Sequence, residues 1–136
     1  MELINLEDYF VDIGGQFLAS SFNMREKLAS VKALVFDWDG VFNSGAKGAN
    51  SSSSFTDVDA MGVSMMRYAY HRATAKNLKV AVISGEVNPS ATAWAKRDKV
   101  NAIYSNCKNK ALAFEHFCEA NQLLPKEIAF FYDAIL

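Results

Sequence analysis

The chain has 136 residues, which is the size of one domain. Apolar residues make up 51%, enough for a core, and charged residues 21%, with a net charge of −1, so no overall field draws in nucleic acid or an anionic membrane. Basic residues form no stripe and no run of five, and no stretch of 18 apolar residues exists, which argues against a nucleic-acid-binding protein and a transmembrane helix.

Cys107 and Cys118 lie eleven positions apart, a spacing that fits neither a zinc pattern nor a disulfide scaffold, so both read as free thiols. Glu2, Glu7 and Asp8 stand where a signal peptide would be basic. A cytoplasmic location is expected.

Residues 6–30 read as helix, with Leu6, Tyr9, Phe10, Ile13, Phe17 and Leu18 at helical spacing. Gly14-Gly15 splits that segment, and Asn23 is the expected cap of its second part. A first strand is predicted over residues 32–36, from the apolar run ending in Phe36. Residues 43–55, rich in Gly, Ser and Asn, read as a β-hairpin, with four consecutive serines at 51–54 as its tip. A helix over 61–76 carries Met61, Met65, Tyr68 and Ala69 on one side; its methionines read as core or interface. A second strand covers 79–83, and a helix follows at 89–97, capped by Asn88 and opened by Pro89. A third strand at 102–104, a helix at 110–121 with Leu112, Phe114, Phe117 and Cys118 inward, and a fourth strand at 128–132 complete the pattern. The expected fold is α/β: a three-layer, Rossmann-like parallel sheet with helices on both faces and right-handed crossovers. Residues 1–30 form an N-terminal helical extension and 31–136 the core in this reading.

Polar residues collect at the predicted strand ends. Asp37 and Asp39 follow the first strand, Ser84 and Gly85 the second, and Asp133 the fourth. Ligands of open parallel sheets bind outside those carboxyl ends. If the backbone stays extended, Asp37 and Asp39 lean to one side, and two like charges that close call for a cation or a shared proton. Carboxylates suit Mg²⁺, which takes one or two of them plus a phosphate. A carboxylate can also attack phosphorus, while a second shuttles the proton. Lys108 and Lys110 precede a helix on the same rim.

With Asp37-Trp38-Asp39-Gly40-Val41, Val82-Ile83-Ser84-Gly85, Asn109-Lys110 and Phe131-Tyr132-Asp133 in that order, the chain resembles the haloacid dehalogenase (HAD) superfamily of phosphatases. The intervals of 47, 26 and 23 residues (37 to 84, 84 to 110, 110 to 133) are compatible with that family. Residues 55–63, with Asp59, and 109–114 are similar to its small cap-less members, the phosphatases of 3-deoxy-octulosonate 8-phosphate and of nonulosonate 9-phosphates. The resemblance covers about residues 31–136. It implies Asp37 as nucleophile and Mg²⁺ ligand. Asp39 is then the general acid/base, binding metal through its backbone carbonyl. Ser84, Gly85 and Asp59 lie at the phosphate, Lys110 balances its charge, and Asp133 is the further carboxylate ligand. It also implies a small phosphorylated substrate, no nucleic-acid or membrane partner, and a homotetramer in which the hairpin packs on a neighbouring subunit.

Three residues depart from the family pattern. Tyr132 stands where glycine is usual, Ala134 where a second Asp is usual, and Glu86 where octulosonate phosphatases often carry Arg. The chain stops at Leu136, so the core is expected to be incomplete at its C-terminus. The alternative to a phosphatase is therefore an impaired or truncated domain of the same fold with a structural or oligomeric role.

His71 and His116 lie within predicted helices with no second ligand at metal spacing, so each reads as structural or surface. Asp59 serves equally well as a helix-end carboxylate. Trp38 faces away from the two aspartates in a regular strand, which favours packing.

Overall fold

Among the described residues, four short strands pair in parallel in the order β3-β2-β1-β4, so the first of them in sequence lies inside the sheet. The computed structural model describes residues 5–46 and 54–133. The strands are β1 (Ala33–Phe36), β2 (Lys79–Ile83), β3 (Ala102–Tyr104) and β4 (Ile128–Phe131). Between them run α3 (Met61–Thr74), α4 (Pro89–Arg97) and α5 (Lys110–Asn121); α1 (Leu6–Asp12) and α2 (Ser21–Ala29) precede the sheet. The predicted bounds of β2, α4, β3 and α5 match these, and the 3-10 turn Asp57–Ala60 ahead of α3 was not foreseen.

Register explains why the strands read as continuous apolar runs. Val35 stands between Ala81 and Phe130, and Phe36 between Val82 and Phe131. Ala33, Val35, Ala81 and Ile83 share one face and pack with Ala113 and Phe117 of α5. The alternate residues Leu34, Phe36, Val80 and Val82 are buried too, which requires cover on the opposite face. Val63 of α3 and Ala91, Trp94 and Ala95 of α4 are the buried residues of those helices. The three-layer α/β fold follows. Within α5 the inward set is Ala113, Phe117 and Cys118, whereas Leu112 is exposed.

An aromatic cluster flanks the end of β1. Trp38, fully buried, stacks on Phe42 at 4.8 Å and lies 5.0 Å from Phe55, while Trp94 of α4 is 5.0 Å from Phe42. The expected packing role of Trp38 is the observed one. Phe42 and Phe55 bracket the segment expected to be a hairpin. Residues 47–53 of that segment lie outside the described residues, and its described flanks, 41–46 and 54–56, carry no strand pairing. The Trp38 indole N–H has no hydrogen-bond partner among the described residues.

By its contacts the chain divides into two compact units, Met1–Val31 and Lys32–Leu136. In the first, α1 ends ahead of Gly14, whose φ of +89° is the left-handed backbone that glycine adopts without strain. The cap of α2 is Ser20, not Asn23: the Ser20 hydroxyl accepts from the Asn23 N–H at 3.2 Å. Asn23 is already inside the helix, and the serine before it reaches the open N–H groups of the first turn. No helix among the described residues is long and apolar enough to cross a membrane. Both cysteines are free thiols, and burial raises the pKa of Cys118.

At the foot of the sheet, Lys32 pairs with Glu127 and its backbone N–H donates to the Glu127 carbonyl at 2.7 Å. Hydrogen bonds from Lys32 and from the Leu124 N–H hold the Glu127 carboxyl below its ordinary 4.5. The same bond, then the charge of Glu127, raises Lys32 above 10.5. The tie therefore stabilises fully between those values; it is lost as pH falls through the depressed Glu127 value or rises through the elevated Lys32 value. Thermal midpoints of wild type and Glu127→Gln should differ by a constant amount across neutral pH and converge at both extremes. Trp38→Ala should cost about 3–5 kcal/mol in denaturant unfolding. Trp38→Phe, which also removes the unpaired N–H, should cost about 1 kcal/mol or less.

Candidate active site

The sheet's alternation sends Asp37 to the face of Val35, toward α5, and Trp38 to the other face. Lys110, the first residue of α5, meets Asp37 there: its ammonium lies 2.5 Å from Asp37 Oδ2. The other carboxylate oxygen, Oδ1, accepts from the Trp38 N–H at 2.8 Å. Asp37 is only 7% exposed, so these two donors replace much of the water a carboxylate would otherwise keep. Its backbone N–H donates to the Phe131 carbonyl at 2.8 Å, which fixes it to the end of β4.

Past Asp37 the backbone does not stay extended. Trp38 O accepts from the Val41 N–H at 3.2 Å and from the Phe42 N–H at 3.0 Å, so the chain turns at once. Asp39 is the second residue of that turn and is half-buried; the condition for the two carboxylates to alternate as in a strand is not met. Gly40 is the third residue, with φ +78°, as a type II turn demands. Asn43 Oδ1 accepts from the N–H groups of Gly40 (3.3 Å) and Gly45 (2.8 Å) and braces the turn.

Gly40 has a second reason to be glycine. A Cβ there would fall 2.6 Å from Asp133 Cγ and 2.9 Å from Asp133 Cβ. The Asp133 side chain thus lies in the space that a missing Cβ leaves beside the Trp38–Val41 turn. The segments after β1 and β4 meet as the sequence predicts, and Gly40 is a site residue that sequence reasoning did not single out.

Ser84 ends β2 and is 2% exposed; its hydroxyl is 3.4 Å from the Glu86 N–H. A Cβ on Gly85 would meet only Cys107 O, at 3.9 Å, an ordinary contact, so the fold itself does not require glycine there. What glycine leaves is room, in a cavity of about 700 Å³ lined by Gly85, Glu86, Lys108, Asn109 and Lys110. Asn109 caps α5 through its side chain, accepting from the Leu112 N–H at 3.0 Å. That cap places Lys110 at the helix start, beside the cavity and Asp37.

Asp59 is engaged locally. One of its oxygens accepts from the Thr56 N–H at 2.6 Å and the Thr56 hydroxyl at 3.1 Å, capping the 3-10 turn. These contacts lie within residues 56–59 and do not join it to the Asp37–Lys110 pair. The Tyr132 ring lies edge-on to Phe130 at 5.6 Å and is half exposed. His116 Nδ1 is 2.8 Å from the Tyr104 hydroxyl, and His71 Nδ1 is 3.3 Å from the Lys76 carbonyl oxygen, consistent with structural duties for both.

No protein-family model and no curated protein matches the chain. Solved structures do. A 3-deoxy-D-manno-octulosonate 8-phosphate phosphatase from Moraxella catarrhalis, in complex with a magnesium ion, a phosphate ion and a KDO molecule, superposes with TM-score 0.69 at 16% identity, over 84% of this chain and 64% of that one. The cobalt-bound deoxy-D-mannose-octulosonate 8-phosphate phosphatase from Haemophilus influenzae gives TM-score 0.66 at 23% identity, over 79% and 61%. A Legionella pneumophila protein classed as a HAD superfamily (subfamily III A) hydrolase gives 0.67 at 23%, over 85% and 65%. The chain has the HAD fold. It spans 61–65% of the length of these three structures.

Gly40→Ala tests that packing. The substitution meets both a strained φ and the Asp133 side chain, so it should lower stability by about 1–3 kcal/mol. In heteronuclear NMR spectra it should shift Asp133 and the Trp38–Val41 turn while leaving β3, which pairs with β2 and not with β1, unperturbed. A spectrum unchanged at Asp133 would refute the contact.

Proposed function

We propose that this protein is a Mg²⁺-dependent phosphomonoester hydrolase that works through an aspartyl-phosphate on Asp37. The observation that carries the reading is the buried Asp37 carboxylate at the end of β1, 2.5 Å from Lys110 at the start of α5, with a cavity beside it. A carboxylate oxygen of Asp37 attacks phosphorus in line, and the ester P–O bond breaks. Asp39, in the adjoining turn, gives its proton to the departing alcohol oxygen. It then takes a proton from water, whose oxygen attacks phosphorus, releases phosphate and restores Asp37. Lys110 balances the charge of the phosphoryl oxygens, and Ser84 and Gly85 bound the space they occupy.

The donor set fits magnesium. Mg²⁺ takes one or two carboxylates and leaves other positions to water and phosphate. The Asp37 and Asp133 carboxylates and the Asp39 backbone carbonyl would hold it. When bound it neutralises and orients the phosphoryl oxygens.

A small phosphorylated sugar is the substrate class that the fold neighbours support. An octulosonate or nonulosonate phosphate is the specific form the sequence resemblance implies, and Glu86 in the cavity lining, where octulosonate phosphatases often carry Arg, weighs against the first. We also infer a homo-oligomer. Val58, Met61, Met65 and Tyr68 are 55–71% exposed and lie along one side of α3 and the turn before it, an apolar surface suited to a further copy.

Asp37→Asn should abolish hydrolysis of a generic aryl phosphate, by at least about 10³-fold, with an unchanged circular dichroism spectrum. Chelation of the metal should have the same effect on wild type and be reversed by added Mg²⁺. Full activity in Asp37→Asn would remove the nucleophile assignment. A wild type that turns over no ester with Mg²⁺ present would favour the non-catalytic alternative.

A further inference from the structure

The loop that follows β2 is held by its carbonyl groups. Ser84 O accepts from the Cys107 N–H at 2.9 Å, and Glu86 O from the Asn106 N–H at 3.2 Å. Between them, Gly85 O accepts from the Lys108 ammonium at 2.8 Å. Three successive carbonyls are thus taken by three successive residues of the segment that leads into α5. Asn106 adopts φ +53°, a left-handed conformation that asparagine tolerates better than most residues, and this bend presents two adjacent N–H groups to one loop. Those two bonds need only backbone. The middle one needs a side chain, and Lys108 supplies it.

Its consequence is electrostatic. A carbonyl oxygen is the negative end of the peptide dipole, and a phosphomonoester is an anion. Gly85 and Lys108 line the same cavity, next to Lys110. Without Lys108, the Gly85 carbonyl would confront an incoming phosphate. With it, that oxygen is covered and a second ammonium joins the lining. The peptide bonds of the described residues are all trans, so a Gly85 carbonyl held toward Lys108 keeps the Glu86 N–H pointing the other way, on the side of the Ser84 hydroxyl. One contact therefore removes a repulsive dipole and fixes the direction of a neighbouring donor.

We propose that Lys108 is a positioning residue for the phosphate group: its bond to the Gly85 carbonyl sets the loop after β2 in an anion-accepting conformation. This rests on the phosphatase reading for its substrate but concerns phosphate binding itself. Inorganic phosphate is the probe. Its Kd is measured by calorimetry for wild type, Lys108→Met and Lys108→Arg, alongside kcat and KM for an aryl phosphate and the thermal midpoint. Lys108→Met, which has neither the charge nor a donor for the Gly85 carbonyl, should weaken phosphate binding and raise KM by about five- to tenfold, with kcat within about twofold and the midpoint unchanged. Lys108→Arg, which keeps both charge and donors, should restore binding to within about twofold. Unaltered Kd and KM in Lys108→Met would overturn the proposal, as would a loss that appears only together with a lowered midpoint. The Kd comparison decides the role of Lys108 whether or not the wild type turns over an ester. Failure of the phosphatase reading is seen separately, in wild-type turnover.

Discussion

A carboxylate that is 7% exposed is the constraint around which the rest of this molecule is arranged. Removing an ionised group from water costs several kcal/mol unless donors replace the lost hydration. Asp37 has two such donors in different parts of the chain: the N–H of its neighbour Trp38 and the ammonium of Lys110, 73 positions away. The second exists only if β1 and β2 pair in register, α5 packs across Val35 and Ile83, and Asn109 starts α5 at the right residue. Each of these is an ordinary folding interaction. Their joint result is a charged pair held at the rim of an apolar sheet, beside a cavity.

The aromatic cluster answers the same constraint from the opposite face. Asp37 and Trp38 are consecutive, so burying the indole among Phe42, Phe55 and Trp94 also sets the side to which the carboxylate points. The indole N–H has no hydrogen-bond partner among the described residues, and ring packing surrounds Trp38. Arg67 and Trp94 both donate to Asp98, and Arg97 pairs with Asp57 and Asp98, which ties α4 to the elements around it.

Much of the fold was legible because each core element carries one dominant signal. Continuous apolar runs marked β1 and β2, Pro89 marked the start of α4, and Asn109-Lys110 marked α5. The site was legible in its residue types, since acids and small polar residues followed three strands. Three things were not legible. The turn at Asp39 depends on Gly40 and Asn43 acting together, and a period-two reading continues the strand through it. The side of α3 bearing Met61, Met65 and Tyr68 is as periodic as a core face, but it is exposed; periodicity identifies an apolar side without saying what covers it. Lys108 has no motif of its own, because its role is a side-chain bond to a main-chain oxygen, and any flexible donor at that position would look the same in sequence. A positive φ at Asn106 was the signal nearest to it, and only the folded backbone displays that.

The placement of β1 inside the sheet has a consequence for the order in which the strand-end group is assembled. Parallel neighbours cannot be joined by a tight hairpin, so β1 must find β2 across a long crossover and β4 across most of the remaining chain; the Lys32–Glu127 tie at the foot of that last pairing spans 95 positions. Contacts so distant in sequence form late, after shorter loops have closed. During synthesis β1 and the Asp37 segment emerge early and wait, with one edge unpaired, until the strand that brings Asp133 has left the ribosome. A nascent or partly folded chain would therefore hold Asp37 without the partner that β4 delivers. On this topology the group at the strand ends comes together only once β4 has paired with β1.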